Sequence, residues 1–158
     1  MSDAVTRMDI VHSAVGGGIC FLGTILLSSL VNILIQRILI ALGILTVTVF
    51  ENFVIAKAAI SFALIYLICG FLGGLYTGYF VENNLKILLP LTGGIGFTGF
   101  TVVLVFYGRL DLTVNFLEMI ILPLLGDIIG AYLGGYTISW PSEGEEEVEE
   151  EISLNLEQ

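Results

Sequence analysis

The sequence predicts an all-α, polytopic bundle of transmembrane helices, and three observations carry that prediction. Apolar residue types make up 56% of the 158 residues and charged ones only 13%, about half the charged share of an ordinary soluble domain. Mean hydropathy is +0.99, too high for a soluble core with a polar exterior. Four stretches are long and apolar enough to cross a bilayer, which takes roughly 20 residues of helix. Each must be helical, because lipid offers backbone N–H and C=O groups no other partner.

The predicted spans are 12–34, 58–80, 87–107 and 116–140. Residues 1–11 form a short N-terminal segment, 12–140 a single membrane domain and 141–158 an acidic tail. Arg7 is diluted by Asp3 and Asp9, and no small-x-small cleavage site follows, so the first apolar stretch is expected to remain as a span. Asn83-Asn84 divides spans two and three, and Gly108-Arg109-Leu110-Asp111 divides three and four. Asn115 with Glu118 reads as a capping pair opening span four. Trp140 suits the interfacial belt and Pro141 stops the helix. Pro90 is expected in the first turn of span three, where proline is tolerated. Residues 38–50 are apolar but short, and are read as an interfacial or re-entrant helix, a continuation of span one, or a fifth span.

The formal net charge of −10 belongs to the tail, where eight of the fifteen acids follow Pro141 and no Lys or Arg follows Arg109. The remainder holds seven acids against five bases. Nucleic-acid binding needs clustered basic charge, so none is expected. The tail is expected to be solvated and disordered. Val148, Ile152 and Leu156 recur every four residues, a spacing that suits an amphipathic helix formed on a basic protein partner. Arg7 and Lys86 would share one side of the membrane and Arg37, Lys57 and Arg109 the other, too even a split to orient the chain. The location expected is a cell membrane, crossed several times.

A duplication runs through the membrane domain. Gly17-Gly18-Ile19-Cys20-Phe21-Leu22-Gly23 matches Gly93-Gly94-Ile95-Gly96-Phe97-Thr98-Gly99. Further on, Gly70, Gly74, Tyr76 and Gly78 match Gly126, Gly130, Tyr132 and Gly134. Two motifs in the same order predict two repeated helical hairpins, over about 12–80 and 87–140. The longer first copy, 53 positions from Gly17 to Gly70 against 33 from Gly93 to Gly126, absorbs residues 38–50. Four spans keep all the glycine-rich stretches in one half of the bilayer, which favours four over five.

Residues four apart share a helix face. Gly70, Gly74 and Gly78 therefore form one smooth stripe, and Gly126, Gly130 and Gly134 another. With Gly17, Gly18, Gly23, Gly93, Gly94 and Gly99 they are the expected helix-packing residues, since small side chains let backbones approach in lipid. The packing could lie within one subunit or join copies in a homo-oligomer or a larger membrane complex. Tyr76 and Tyr132 lie about 160° from the stripes and are expected to anchor at the lipid interface.

Asp127 is the candidate ion or proton site. It sits well inside span four, where an acid costs roughly 2.5–3.5 kcal/mol on insertion scales. Its counterpart in the first copy is Phe71, so the duplicated scaffold does not require it. Pro123 removes a hydrogen bond to the Met119 carbonyl and is expected to kink the helix nearby. Structurally, the acid could instead bond to Ser, Thr or Asn on a neighbouring helix. Cys20 and Cys69 read as small core residues. With His12 the sole histidine, no metal site and no cofactor is expected. No phosphate loop, zinc-protease motif or nucleophile elbow is present, so no enzyme activity is expected.

The elements Gly70 to Tyr79 and Gly126 to Tyr136, with the hairpin plan, resemble the small glycine-rich four-span membrane proteins of archaea classed as domains of unknown function. That resemblance covers the membrane part and implies no activity. The 38–50 segment and the glutamate tail depart from it. The function expected is that of a structural or accessory membrane subunit packing through glycine stripes, since a conduction path needs more polar lining than this sequence offers; the alternative is a proton- or cation-coupled channel or transporter centred on Asp127.

Overall fold

The computed structural model describes residues 5–41, 59–81, 84–108 and 116–138. Helix accounts for 94% of them and no strand occurs among them, so the fold is all-α. Among the described residues four helices follow in order: α1 over Arg7–Ala41, α2 over Ala59–Phe80, α3 over Leu85–Phe106 and α4 over 116–138. Each holds a segment long and apolar enough to cross a membrane, as a multi-pass protein requires.

Helix α1 opens on a reciprocal capping box. The Asp9 amide donates to Thr6 Oγ1 at 3.2 Å and the Thr6 amide to Asp9 Oδ2 at 2.9 Å, which satisfies two N–H groups that have no partner inside the helix. It then continues past the expected end at 34, through Gln36-Arg37 to Ala41. At 1.5 Å per residue its 35 residues reach about 52 Å, well beyond a hydrocarbon core of about 30 Å. The first part of 38–50 is thus a continuation of the first helix, while the part after Ala41 lies outside the described residues. So does the acidic tail.

Four residues separate α2 from α3. The Val81 amide still reaches the Thr77 carbonyl at 2.9 Å. Asn84 reverses the chain with φ of 62°, a left-handed conformation that asparagine accepts more readily than most residues. Helix α3 begins at Leu85, so Pro90 is its sixth residue, in the second turn and not the first.

The glycines fix how the helices run. Positions 70, 74 and 78 of α2 meet 127, 131 and 135 of α4, so these two are parallel. Gly17 meets Ile95, and Gly99 meets Phe21, so α1 and α3 are also parallel. Gly16 meets Thr77 while Gly23 meets Cys69, which sets α1 antiparallel to α2. Large apolar side chains such as Leu22, Leu26, Leu30, Leu72 and Leu133 face outward, whereas the buried set includes Ser13, Cys20, Thr24, Cys69, Thr77, Thr92 and Ala131. Small buried residues bring helix axes close, which is how helices gain contact energy when both faces are otherwise equally at home in lipid.

Candidate functional site

Asp127 lies where all four helices converge. Its main chain is held between two glycines. A Cβ on Gly70 of α2 would stand 2.5 Å from the Asp127 carbonyl oxygen, and one on Gly93 of α3 would stand 2.8 Å from its carbonyl carbon. Real side chains do not fit at such distances, so glycine is what admits α4 to this place. Helix α1 supplies Cys20, whose sulfur would be 2.6 Å from a Cβ on Gly96. Gly93 and Gly96 are one turn apart on α3, so Asp127 and Cys20 share that face of it.

The carboxyl group is 0% exposed, and neither oxygen has a hydrogen-bond partner. The Cys20 thiol of α1 stands close enough to interact with the carboxyl, and Cys69 of α2 lies near both. The nearby Thr24 hydroxyl donates to its own helix, at the Cys20 carbonyl, at 2.9 Å. Thr101 Oγ1 is the one other buried polar side-chain atom without a partner among the described residues. A carboxyl without a partner in a medium of low dielectric constant costs several kcal/mol if it is charged. Such an acid either carries a proton or is matched by a cation.

Irregular helix flanks this layer on one side. A π turn covers Leu117–Ile121 in α4, where the Leu122 amide donates five residues back to the Leu117 carbonyl. Pro123 follows and contributes no amide. A second π turn covers Phe62–Tyr66 in α2, with the Leu67 amide on the Phe62 carbonyl. The α2 turn packs on α4 at Gly126, where a Cβ would stand 2.5 Å from Tyr66 Cβ.

On the other side lies a hydroxyl cluster that the sequence did not single out. Ser13 Oγ is 2.9 Å from Thr92 Oγ1, which is 2.9 Å from Thr77 Oγ1. Ser13 and Thr92 also lie 3.0 Å from the Leu88 carbonyl, and Thr77 lies 3.1 Å from the Gly73 carbonyl. All three hydroxyls are buried, one each on α1, α3 and α2. Gly16 makes room for them, since a Cβ there would collide with Thr77 Oγ1.

The sequence-selected glycines divide by what they face. Gly74 is pressed on Ala131, Gly78 on Gly135, Gly130 on Leu67 and Phe71, and Gly134 on Phe71. Gly17 meets Ile95, Gly23 meets Cys69 and Gly99 meets Phe21. Gly18 and Gly94 make no close approach within the chain, as a Cβ on either would meet nothing within 4 Å. Conversely Gly16, Gly73, Gly96 and Gly135 make close approaches that the four-residue spacing did not pick out. Gly73-Gly74 and Gly134-Gly135 are doubled, which bares two helix faces about 100° apart. The doubling was the available signal.

The tyrosines also bond to neighbouring helices. The Tyr132 hydroxyl donates to the Lys86 carbonyl at 2.8 Å, and the Tyr76 hydroxyl lies 3.5 Å from His12 Nδ1. Lys86 is four residues before Pro90, so its carbonyl is the one that a proline ring leaves without a helical donor. Tyr132 fills that gap from α4. His12 stacks on Phe80 with ring centroids 5.0 Å apart. Among the described residues no group of three His, Cys, Asp or Glu side chains is placed to hold a metal ion.

No protein-family model, curated protein or solved structure matches the chain.

Proposed function

We propose that this chain is the core of a small ion-coupled channel or transporter of a cell membrane, and that Asp127 is where the proton or cation binds. The observation that carries this reading is the Asp127 carboxyl, wholly buried at the meeting point of four helices with neither oxygen bonded. A purely structural acid would be expected to bond to a neighbouring helix, and three hydroxyls in the same core bond to one another instead. Ionisable groups at this depth mark ion and proton pathways in membrane proteins.

The architecture fits two hairpins repeated around an axis along the membrane normal. Two features support it: parallel pairing of α1 with α3 and of α2 with α4, and π turns at similar heights in α2 and α4. The glycine stripes of α2 and α4 meet each other, so they build the subunit.

A second reading, an accessory subunit within a larger assembly, is favoured by Gly18 and Gly94. They leave α1 and α3 open to the approach of another helix.

Purified protein in liposomes loaded with a pH-sensitive dye separates the two. Flux of H⁺, Na⁺ or K⁺ that disappears in Asp127→Asn is the expected result. Wild-type liposomes as tight as empty ones to all three ions would refute the ion-coupled reading.

A further inference from the structure

We propose that the Cys20 and Cys69 thiols form a binding site for a soft monovalent metal ion of the copper(I) class, with the Asp127 carboxyl as the hydrogen-bond donor beside it. This deepens the reading of Asp127 as the centre of an ion site by naming the ion, and rests on that reading for what the site serves. Sodium or potassium leaves water only for a ring of oxygen atoms. Thiolate sulfur instead selects soft ions such as copper(I).

The chain has two cysteines, and the fold brings both to the one buried acid among the described residues. Close approaches between helices make a closed circuit around the three. Cys69 precedes Gly70 on α2, where a Cβ would stand 2.8 Å from Asp127 Cα. The Cys69 sulfur packs on α1, 3.1 Å from where a Cβ on Gly23 would stand. Cys20 is one turn before Gly23, and its sulfur would be 2.6 Å from a Cβ on Gly96 of α3. One turn before Gly96 is Gly93, where a Cβ would stand 2.8 Å from the Asp127 carbonyl carbon. Cys20 Cβ would also be 3.1 Å from a Cβ on Gly73, one turn after Cys69. Both thiols are free and buried, and each lies within interaction range of the other, of Thr24 and of the Asp127 carboxyl. Service as a small core residue explains one such cysteine. It does not explain two of them beside an acid whose oxygens have no partner.

The number of ligands decides which ion fits. Among the described residues no three His, Cys, Asp or Glu side chains are placed to hold one metal ion, so zinc, which needs three or four protein ligands, is not accommodated there. Copper(I) is a closed-shell ion that two thiolates bind in a line. On binding, both S–H bonds break, two Cu–S bonds form, copper stays in the +1 state and the two protons leave to water. The neutral pair of thiols becomes a unit of charge −1. That charge is costly in a medium of low dielectric constant unless a donor meets it. Protonated Asp127 supplies the donor, with its O–H directed to the Cys20 sulfur. The acid that has no partner in the empty site gains one in the loaded site.

The probe is copper(I) held as its coloured bicinchoninate complex and offered, under reducing conditions, to the full chain in lipid vesicles. Wild-type protein is expected to withdraw copper from the complex. Cys20→Ala and Cys69→Ala are each expected to weaken binding by more than about 100-fold, since loss of an outer-shell partner alone costs about 10–100-fold. Asp127→Leu keeps the size of the side chain without the donor and is expected to cost about 10–100-fold. X-ray absorption at the copper edge is expected to show two sulfur neighbours. No uptake by wild-type protein, or wild-type affinity in either cysteine variant, overturns the site. Oxygen or nitrogen neighbours around the copper overturn it too, and that readout depends on no variant folding. Copper is also expected to lower the C=O stretching frequency of Asp127, and an unmoved band overturns the carboxyl as donor. Proton flux that Asp127→Asn abolishes, in protein that takes up no copper, overturns the copper site and leaves the ion-coupled reading standing. Copper on two sulfurs in vesicles tight to copper, H⁺, Na⁺ and K⁺ upholds the site and removes the ion-coupled reading.

Discussion

Gly74→Ala adds one methyl group at the tightest point between α2 and α4. The added carbon would collide with the Ala131 carbonyl oxygen, and would lie 2.5 Å from its Cα and 2.6 Å from its carbonyl carbon, where ordinary contact begins at 3.4 Å. The obstacle is main chain, which cannot rotate aside, so the helices must part by about 0.9 Å locally. A gap of that size forfeits about a quarter to a half of the dispersion energy of the atoms that line it. Overpacking of this kind costs about 1–3 kcal/mol, and a backbone obstacle places this case near the top of the range. Alanine returns up to about 1 kcal/mol through its better helix propensity. The net loss expected is about 2 kcal/mol, or about 30-fold in the ratio of folded to unfolded protein. Gly94→Ala is the matched control, because a Cβ there meets nothing within 4 Å. It is expected to be neutral or stabilising by up to about 1 kcal/mol. Reversible unfolding in mixed detergent micelles measures both variants. Stabilities within about 0.5 kcal/mol of each other, a spread usual for unrelated surface changes, would refute backbone contact as the basis of packing.

Other variants probe single contacts. Tyr132→Phe removes the donor to the Lys86 carbonyl and is expected to cost about 1 kcal/mol. In a Pro90→Ala background the restored amide takes that carbonyl, so the same change becomes nearly neutral. Equal costs in both backgrounds would show that the proline and the tyrosine are not coupled. Gly96→Ala would press on Cys20 Sγ at 2.6 Å and Cβ at 2.9 Å. It is expected to destabilise the bundle, with Cys20→Ala recovering about 1 kcal/mol. The idea fails if Gly96→Ala is no better tolerated after the sulfur is removed.

The fold class was legible because four apolar stretches exceed what any soluble core would need. Asp127 stood out by its depth in one of them. What it faces was not legible, since Cys20 of α1 and Cys69 of α2 come to it only in the folded bundle, and neither was the hydroxyl cluster, since Ser and Thr occur throughout the chain. Periodicity locates a glycine face but not its partner. Gly17 and Gly18 sit side by side in a repeated motif, yet one is pressed on Ile95 and the other is open. The end of α1 was misplaced because Gln36-Arg37 reads as a boundary, whereas a helix that has left the hydrocarbon can carry both. Pro90 was placed one turn too early because the start of α3 depends on the left-handed Asn84, which the neighbouring Asn83 masks as a generic turn signal. Tyr132 was read from its angle to the stripe alone, which could not reveal a carbonyl left free on another helix.

The C=O frequency of Asp127 in the resting protein bears most directly on the enclosed, unbonded acid. A carboxylic acid without a hydrogen-bond partner absorbs at the high end of the carboxylic range, and hydrogen bonding or ionisation lowers the frequency. A high-frequency band that is present in wild-type protein and absent in Asp127→Asn is the expected result. A band shifted down by hydrogen bonding, or a carboxylate doublet in its place, would contradict it.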